Sequence, residues 1–335
     1  MPIPHLHKVL IVGAGGTNIG HHIANALSKD TSFELSILSR AGSKSTYPSN
    51  AKVITIPANP THVDYVQAFQ GQDAVVSGLG FEGKPTEKAL IDAAIEAGVK
   101  RFLPSEYGVD NTDPAASELS PVFKRKADIL EYLKSKEWSG LSWTAVPTGM
   151  WLDWYAFVTY HFFALVELTF VCLTRALDPS IAFIGIDIHA HTAELWAQGT
   201  YKMSFTTLPT AADAVRRILL TPVATQNRVV PVRNFEASLC DIVALLEEAQ
   251  GVKYKLTPVE DTDEIIGLKQ KLWVESGERD VGAALWLVKA GFLLPGYGSN
   301  FAECEKGALG NEIVGFDAES VGLRDVVEDV VARFS

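Results

Sequence analysis

Cysteine is scarce: Cys172, Cys240 and Cys304 are the only three in 335 residues, and no two of them form a C-x-x-C pair. That excludes a disulfide framework and a thiolate metal centre, and it suits a reducing compartment. Positive charge is also short, with 29 Lys and Arg against 40 Asp and Glu for a net charge of −11. The basic residues are scattered, so no nucleic-acid partner and no anionic membrane surface is expected. The early apolar run Val9–Val12 is too short for an export signal, with only His5, His7 and Lys8 as basic residues before it, so the expected location is cytoplasmic. No G-x-S-x-G elbow is present, which leaves hydrolysis without its usual strand-borne nucleophile. Repeats and low-complexity tracts are absent as well. What remains is an ordered globular chain, 47% hydrophobic, long enough for two domains.

The informative stretch comes first. Val9-Leu10-Ile11-Val12 reads as a buried strand that breaks into Gly13-Ala14-Gly15-Gly16-Thr17-Asn18-Ile19-Gly20 and resumes with helical spacing at Ile23, Ala26 and Leu27. A dinucleotide site makes this demand: a sharp turn, backbone N–H groups against a pyrophosphate, and a helix N-terminus facing the negative charge. Gly13 is expected to make the turn, Gly16 to admit the phosphates, and Gly20 to let the helix pack on the sheet. Gly13, Gly15, Gly16, Thr17, Asn18, Ile19 and Gly20 are therefore the candidate cofactor-binding residues. Their G-x-x-G-x-x-x-G spacing is one residue off the strict fingerprint, and an ordinary strand-to-helix turn is the competing reading.

The second strand, Phe33–Leu38, should end where an NAD enzyme carries Asp or Glu for the ribose 2′-OH. No carboxylate stands between Leu35 and Asn50; Ser39-Arg40 and Lys44 occupy the place instead. Arg40 and Lys44 suit a 2′-phosphate, so NADPH/NADP is favoured over NAD, against the alternative that Arg40 is a solvated loop arginine. Further strands follow at Val53–Ile56, Asp73–Ser77, Arg101–Ser105 and Trp143–Val146. Between them, helices are expected around Val63–Phe69, from Pro85 to a Gly98 C-cap, and from Ser120-Pro121 to about Lys136. This alternation predicts an α/β fold, a Rossmann-type doubly wound parallel sheet over residues 1–150. A smaller, mostly helical substrate-side domain is expected over 151–335.

In such a sheet ligands sit beyond the carboxyl ends of the strands, and crossover helices run back from there. Lys126, two turns into the Ser120 helix, is then within reach of the crevice and is the candidate catalytic residue. Tyr132 and Lys136 have the Tyr-x-x-x-Lys spacing of short-chain dehydrogenases. They begin about 9 Å further along the axis, however, and are read as a solvated helix end.

Phe102-Leu103-Pro104-Ser105-Glu106-Tyr107-Gly108, Pro121-Val122-Phe123 with Lys126 three places on, and Trp143-Thr144-Ala145-Val146-Pro147-Thr148-Gly149 resemble the NmrA-like, isoflavone-reductase-type branch of the atypical short-chain dehydrogenases. The likeness covers most of the chain. Phe183–Gly199, Thr206–Leu220 and Leu294–Phe301 are similar to the fungal members. The resemblance implies an NADPH-dependent reductase in which a single helix-borne lysine, here Lys126, stands for the Tyr/Lys pair. It implies a small substrate, with aromatic secondary metabolites the usual territory. A non-catalytic NAD(P)-sensing regulator, in the manner of the founding NmrA-type members, is the competing reading. The chain departs from the pattern in the extra residue of its glycine loop, in Tyr107 where plant members often carry Phe, and in an added apolar segment near 154–177.

That segment has no Asp, Glu, Lys or Arg from Trp154 to Val166, and Glu167 falls near its middle. A buried helix or a contact between copies in a homo-oligomer is the favoured reading; a membrane contact and a misannotated coding insertion stay open. Beyond it, Thr210–Asp213 and Ser238–Asp241 look like capped helix starts, with a helix over Phe235–Gln250 ending at Gly251. Glu264–Trp273 and Val281–Phe292 also have helical spacing. Their Trp273, Trp286 and Phe292 suit a pocket wall, though core is the commoner use of such aromatics. His189 and His191 would share one face of a strand near Glu194, but exposed hairpin histidines explain them more simply than a metal site, and no metal is expected.

Overall fold

Alternate residues of strand β1 (Lys8–Val12) build two separate cores, and the rest of the sheet follows from that. The computed structural model describes residues 6–15, 18–80, 87–155, 183–303, 309–317 and 320–334. Strand β1 pairs in parallel with β2 (Glu34–Arg40) on one side and β4 (Ala74–Ser77) on the other, so that Ile11 lies between Ile37 and Val76. With β3 (Lys52–Ile56), β5 (Arg101–Leu103), β6 (Ser142–Ala145) and the short strand Arg228–Val229, they form a seven-stranded parallel sheet. Its order is Arg228–Val229, β6, β5, β4, β1, β2, β3.

Val9 and Ile11 face the helix α1 (Ile19–Ser28) and a second helix, Leu208–Leu220, which packs along α1. Leu10 and Val12 face the other layer, built from α2 (His62–Phe69), α3 (Glu87–Glu96) and, after the short α4 (Pro114–Leu119), α5 (Pro121–Ser135). A strand buried on both faces reads as the continuous apolar run seen in the sequence. The doubly wound sheet stands. One helix and one strand of it, however, come from residues 208–229, well past residue 150. At the amino-terminal edge the buried Arg101 guanidinium ties this late strand in: it donates to Ser142, Thr144 and Thr225 hydroxyls and to the Pro222 carbonyl.

The remaining residues form a second, largely helical region with two three-stranded sheets, one ordering Phe235–Ala237, Met203–Thr206 and Met150–Trp151, the other Lys255–Pro258, Thr192–Leu195 and Ile186–Asp187. Its helices are Leu239–Gln250, Thr262–Glu275, Val281–Leu293 and Leu323–Phe334.

Three local expectations are corrected. Phe235–Ala237 is a strand paired antiparallel with Met203–Phe205, and the helix begins only at Leu239, because the Ser238–Asp241 capping box sets its start there. The helix expected from Thr210 starts at Leu208, since Thr207 is its N-cap and accepts from the Thr210 N–H. His189 and His191 sit in the turn between two strands, not on one, and His191 has φ 52°. No group of three potential metal ligands occurs among the described residues. Trp273 and Phe292 are core and Trp286 lies half-buried against it: Trp273 packs with Val122 and Ala284, Trp286 against Trp196, and Phe292 edge-on to Phe123. Residues 156–177 of the apolar segment, and Pro85, lie outside the described residues. Among the described ones, no helix is long and apolar enough to cross a membrane.

Candidate active site

The order of the sheet reverses between β1 and β4, and at that switch point the carboxyl ends of neighbouring strands open a crevice. Three glycines close its floor. Gly13 has φ +84°, and a Cβ there would lie 2.8 Å from the Gly78 carbonyl oxygen. A Cβ on Gly20 would lie 2.3 Å from the Gly13 carbonyl oxygen, and one on Gly78 only 2.7 Å from the Gly20 Cα. The backbone of β1, the first turn of α1 and the end of β4 thus touch without side chains between them. Gly78 is the member that the glycine spacing did not single out, because it is distant in sequence and approaches only when β4 lies beside β1.

The other loop candidates divide. Gly16 and Thr17 lie outside the described residues. Gly15 faces the second strand's loop, where a Cβ would meet Ser45 Oγ at 2.6 Å. Asn18 is the N-cap of α1, yet its side chain makes no cap; Nδ2 donates instead to the Gly78 carbonyl at 3.3 Å. Ile19 is buried in the core, so only its backbone is available to a ligand. With no acidic residue in the first turn of α1, the helix end presents unneutralised N–H groups. Backbone approach, an uncapped helix start and no carboxylate together fit a bound pyrophosphate.

Arg40 is the last residue of β2 and Lys44 lies in the loop beyond; both are exposed, and neither forms an ion pair among the described residues. Beside them the Tyr47 hydroxyl donates to Ser39 Oγ at 3.1 Å. The Ser39, Ser43 and Ser45 hydroxyls together hold the Tyr47 pKa below its ordinary value, although burial pushes it the other way. Two cations and a row of hydroxyls, with no carboxylate, fit the 2′-phosphate of an NADP-type nucleotide.

Lys126 approaches the same edge from α5. Ser120 caps this helix by accepting from the Val122 N–H, and Pro121 opens it, as its sequence predicts. From the second turn, Lys126 Nζ donates to the Ser105 carbonyl at 2.5 Å. β5 stops at Leu103 because Pro104 has no N–H for the ladder, and Ser105 begins the loop beyond. Ser105 Oγ donates to the Leu79 carbonyl at 2.7 Å, next to Gly78. A continuous line of contacts therefore runs from Gly13 and Gly20 through Gly78, Leu79 and Ser105 to Lys126.

Sequence reasoning missed what surrounds the lysine. Glu87, buried at the start of α3, accepts the Ser105 N–H at 2.8 Å. Glu106, also buried, has Oε1 3.9 Å from Lys126 Nζ. The Tyr107 hydroxyl is committed to the Ser77 carbonyl at 3.1 Å, and burial, helped by Glu87 and Glu106, raises its pKa and keeps it neutral. The signal available was a carboxylate inside a Pro-Ser-Glu-Tyr-Gly run too apolar for a solvated loop. Tyr132 and Lys136, by contrast, meet Asp92 of α3 at the far end of α5, the hydroxyl at 2.6 Å and the amine at 3.4 Å.

Residues 6–279 match the profile of the NmrA-like family. The oxidoreductase aprR of Aspergillus flavus is 33% identical over 317 residues, covering 94% of this chain and 96% of that one. Among solved structures, an isoflavone reductase superposes with a TM-score of 0.70 at 20% identity, covering 98% of this chain and 99% of its own. AtPrR2 with NADP+ and (+)pinoresinol superposes with a TM-score of 0.66 at 19% identity, over 97% of this chain and 98% of its own. The match of the NmrA-like family profile over residues 6–279 makes this chain a member of the NmrA-like family, with the fold of the isoflavone reductase structure.

Proposed function

We propose that this chain is an NADPH-dependent reductase acting on a small aromatic substrate of the secondary-metabolite kind. The observation that carries the reading is the contact line from the glycine cradle to Lys126, which sets a mostly buried amine at the edge where a nucleotide would lie. The oxidoreductase name of the Aspergillus flavus relative, and the NADP+ in the AtPrR2 structure, support the same chemistry.

NADPH, when bound, supplies the hydride. Gly13, Gly15 and the first turn of α1 would hold its pyrophosphate, and Arg40 with Lys44 its 2′-phosphate. Lys126 presents its ammonium toward the crevice. There it either donates a proton to the oxygen that gains charge as the substrate is reduced or orients the cofactor ribose by hydrogen bonding. Tyr107 takes no part in proton transfer, because its hydroxyl is buried and already bonded.

The test is a titration of the protein with NADPH, NADP, NADH and NAD, followed by tryptophan fluorescence, and then turnover of a panel of aromatic carbonyl and conjugated substrates. NADPH is expected to bind best, and Lys126→Ala to lower kcat by about 10²–10⁴-fold, with NADPH affinity retained if the lysine is a proton donor and weakened if it orients the ribose. Full turnover by Lys126→Ala on a good substrate overturns the role of the lysine. Preference for the oxidised nucleotides without turnover points to a nucleotide sensor instead.

A further inference from the structure

The loop after β2 carries Lys44 just beyond Arg40, and its backbone is lightly held. The Ala41 N–H donates to the Ile56 carbonyl at 2.8 Å and the Ser43 N–H to the Arg40 carbonyl at 3.1 Å. From Lys44 to Tyr47 no backbone–backbone hydrogen bond is made among the described residues. Side chains hold this stretch instead. The Tyr47 ring packs against the core of β1 and α1, and its hydroxyl donates at 3.1 Å to Ser39, which is 8% exposed near the end of β2. Ser45 and the same hydroxyl converge on the glycine loop: the point that a Cβ on Gly15 would occupy lies 2.6 Å from Ser45 Oγ, 3.2 Å from Ser45 Cβ and 3.9 Å from the Tyr47 oxygen. Ser45 thus fills the space that a side chain on Gly15 would need. Ser43 Oγ accepts from the Ser45 N–H at 3.3 Å, and both serine hydroxyls join Ser39 in hydrogen bonding to the Tyr47 phenol. One phenol therefore gathers a serine next to Arg40 and the two serines that flank Lys44.

We infer that Tyr47 is a positioning residue for nucleotide selection: its hydroxyl, gathering Ser39, Ser43 and Ser45, latches the loop onto Gly15 and holds Arg40 and Lys44 where a 2′-phosphate would be met. The inference rests on the proposed NADPH site and goes a step beyond it, since the phenol itself touches no phosphate. Two exposed cations on a loose loop must be ordered each time a ligand arrives, and a loop ordered beforehand is spared that cost. Gly15 then has a second reason to lack a side chain, because a methyl there would displace Ser45 and loosen the latch.

The experiment compares the full chain with Tyr47→Phe, which keeps the ring and every tryptophan and removes only the hydroxyl. Affinities for NADPH and NADH are titrated by fluorescence. The unliganded proteins are also nicked with trypsin, and the rate of cleavage after Lys44 is read by mass spectrometry, because cleavage follows the population of the opened loop. Tyr47→Phe is expected to lower the NADPH-to-NADH affinity ratio, and to raise the cleavage rate, by about two- to tenfold each. Ser39→Ala removes the acceptor of the same bond and should act in the same direction, the double variant matching Tyr47→Phe alone. An unchanged ratio in a folded Tyr47→Phe overturns the inference. A changed ratio with unchanged cleavage also overturns it, because the phenol would then act on the ligand and not on the loop. If Tyr47→Phe does not fold, Ser39→Ala gives the same two readings. The parent chain separates this inference from the one beneath it: no preference for NADPH there overturns the nucleotide reading and the latch's role in selection with it, whereas a preference that survives Tyr47→Phe overturns the latch alone.

Discussion

Gly20 and Gly80 differ only in what surrounds them, and that difference is measurable. A methyl on Gly20 meets a backbone oxygen at 2.3 Å, whereas nothing among the described residues lies within 4 Å of one on exposed Gly80. Gly20→Ala must push α1 off the strand and is expected to cost about 1–3 kcal/mol of stability with loss of nucleotide binding, while Gly80→Ala stays within about 0.5 kcal/mol. Chemical denaturation and the fluorescence titration read both. At the other end of the proposed nucleotide site, Arg40→Ala removes a charged partner from the proposed 2′-phosphate. It is expected to weaken NADPH binding by about tenfold or more and leave NADH unchanged, as seen in paired titrations. Residues whose work is local were legible in the sequence: a glycine run between strand and helix, and a missing carboxylate after β2, are read from neighbours along the chain. Gly78, Glu87 and Glu106 were not, because their roles exist only once β4, α3 and the loop after β5 are side by side.

The helices tell the same story one level up. The starts of α5 at Ser120-Pro121 and of Leu239–Gln250 at Ser238 were readable, since a cap and its partner lie within three residues. The start of Leu208–Leu220 was placed two residues late although Thr207 caps it locally; a second partner comes from afar, the Leu208 N–H donating to both Asp153 carboxylate oxygens, at 3.0 and 3.1 Å. Phe235–Ala237 was taken as helix for a related reason, its strand partner lying far back in the chain at Met203–Phe205. The remote cap has a pH signature. Burial raises the Asp153 pKa to about 6 from an ordinary 3.8, against the opposing pull of the Leu208 N–H. Between those values the folded chain keeps a proton that the unfolded chain has released, so this contribution to stability is full below about 3.8 and lost as pH rises through about 6. Asp153→Asn has no such proton. Its stability relative to the parent chain is expected to be more favourable at pH 7.5 than at pH 5.0, measured from denaturant midpoints, and equal differences at the two pH values would refute the assignment.

Across the whole molecule, the half that carries the seven-stranded sheet is not built from consecutive sequence. Ile23 and Leu27 of α1 are fully buried in a core shared with Ala211, Val215 and Ile218. Arg216 also reaches Asp30, just past the end of α1, at 2.8 Å. A chain ended at residue 150 leaves the outer face of α1 bare and removes one of the two partner strands of β6. Such a fragment is expected to aggregate or to melt well below the full chain in a thermal-shift assay, with no gain on adding NADPH.

The same arrangement has a consequence for synthesis. Strands β1 to β6 leave the ribosome in order and are able to pair as they emerge, but α1 gains its covering helix only after some two hundred residues have been made, which at about 5–20 residues per second is a delay of roughly ten seconds or more. For that interval the first apolar helix of the chain is exposed to whatever else binds hydrophobic surface in the cell. Completion of the core on this face of the sheet is therefore timed by the arrival of residues 208–220.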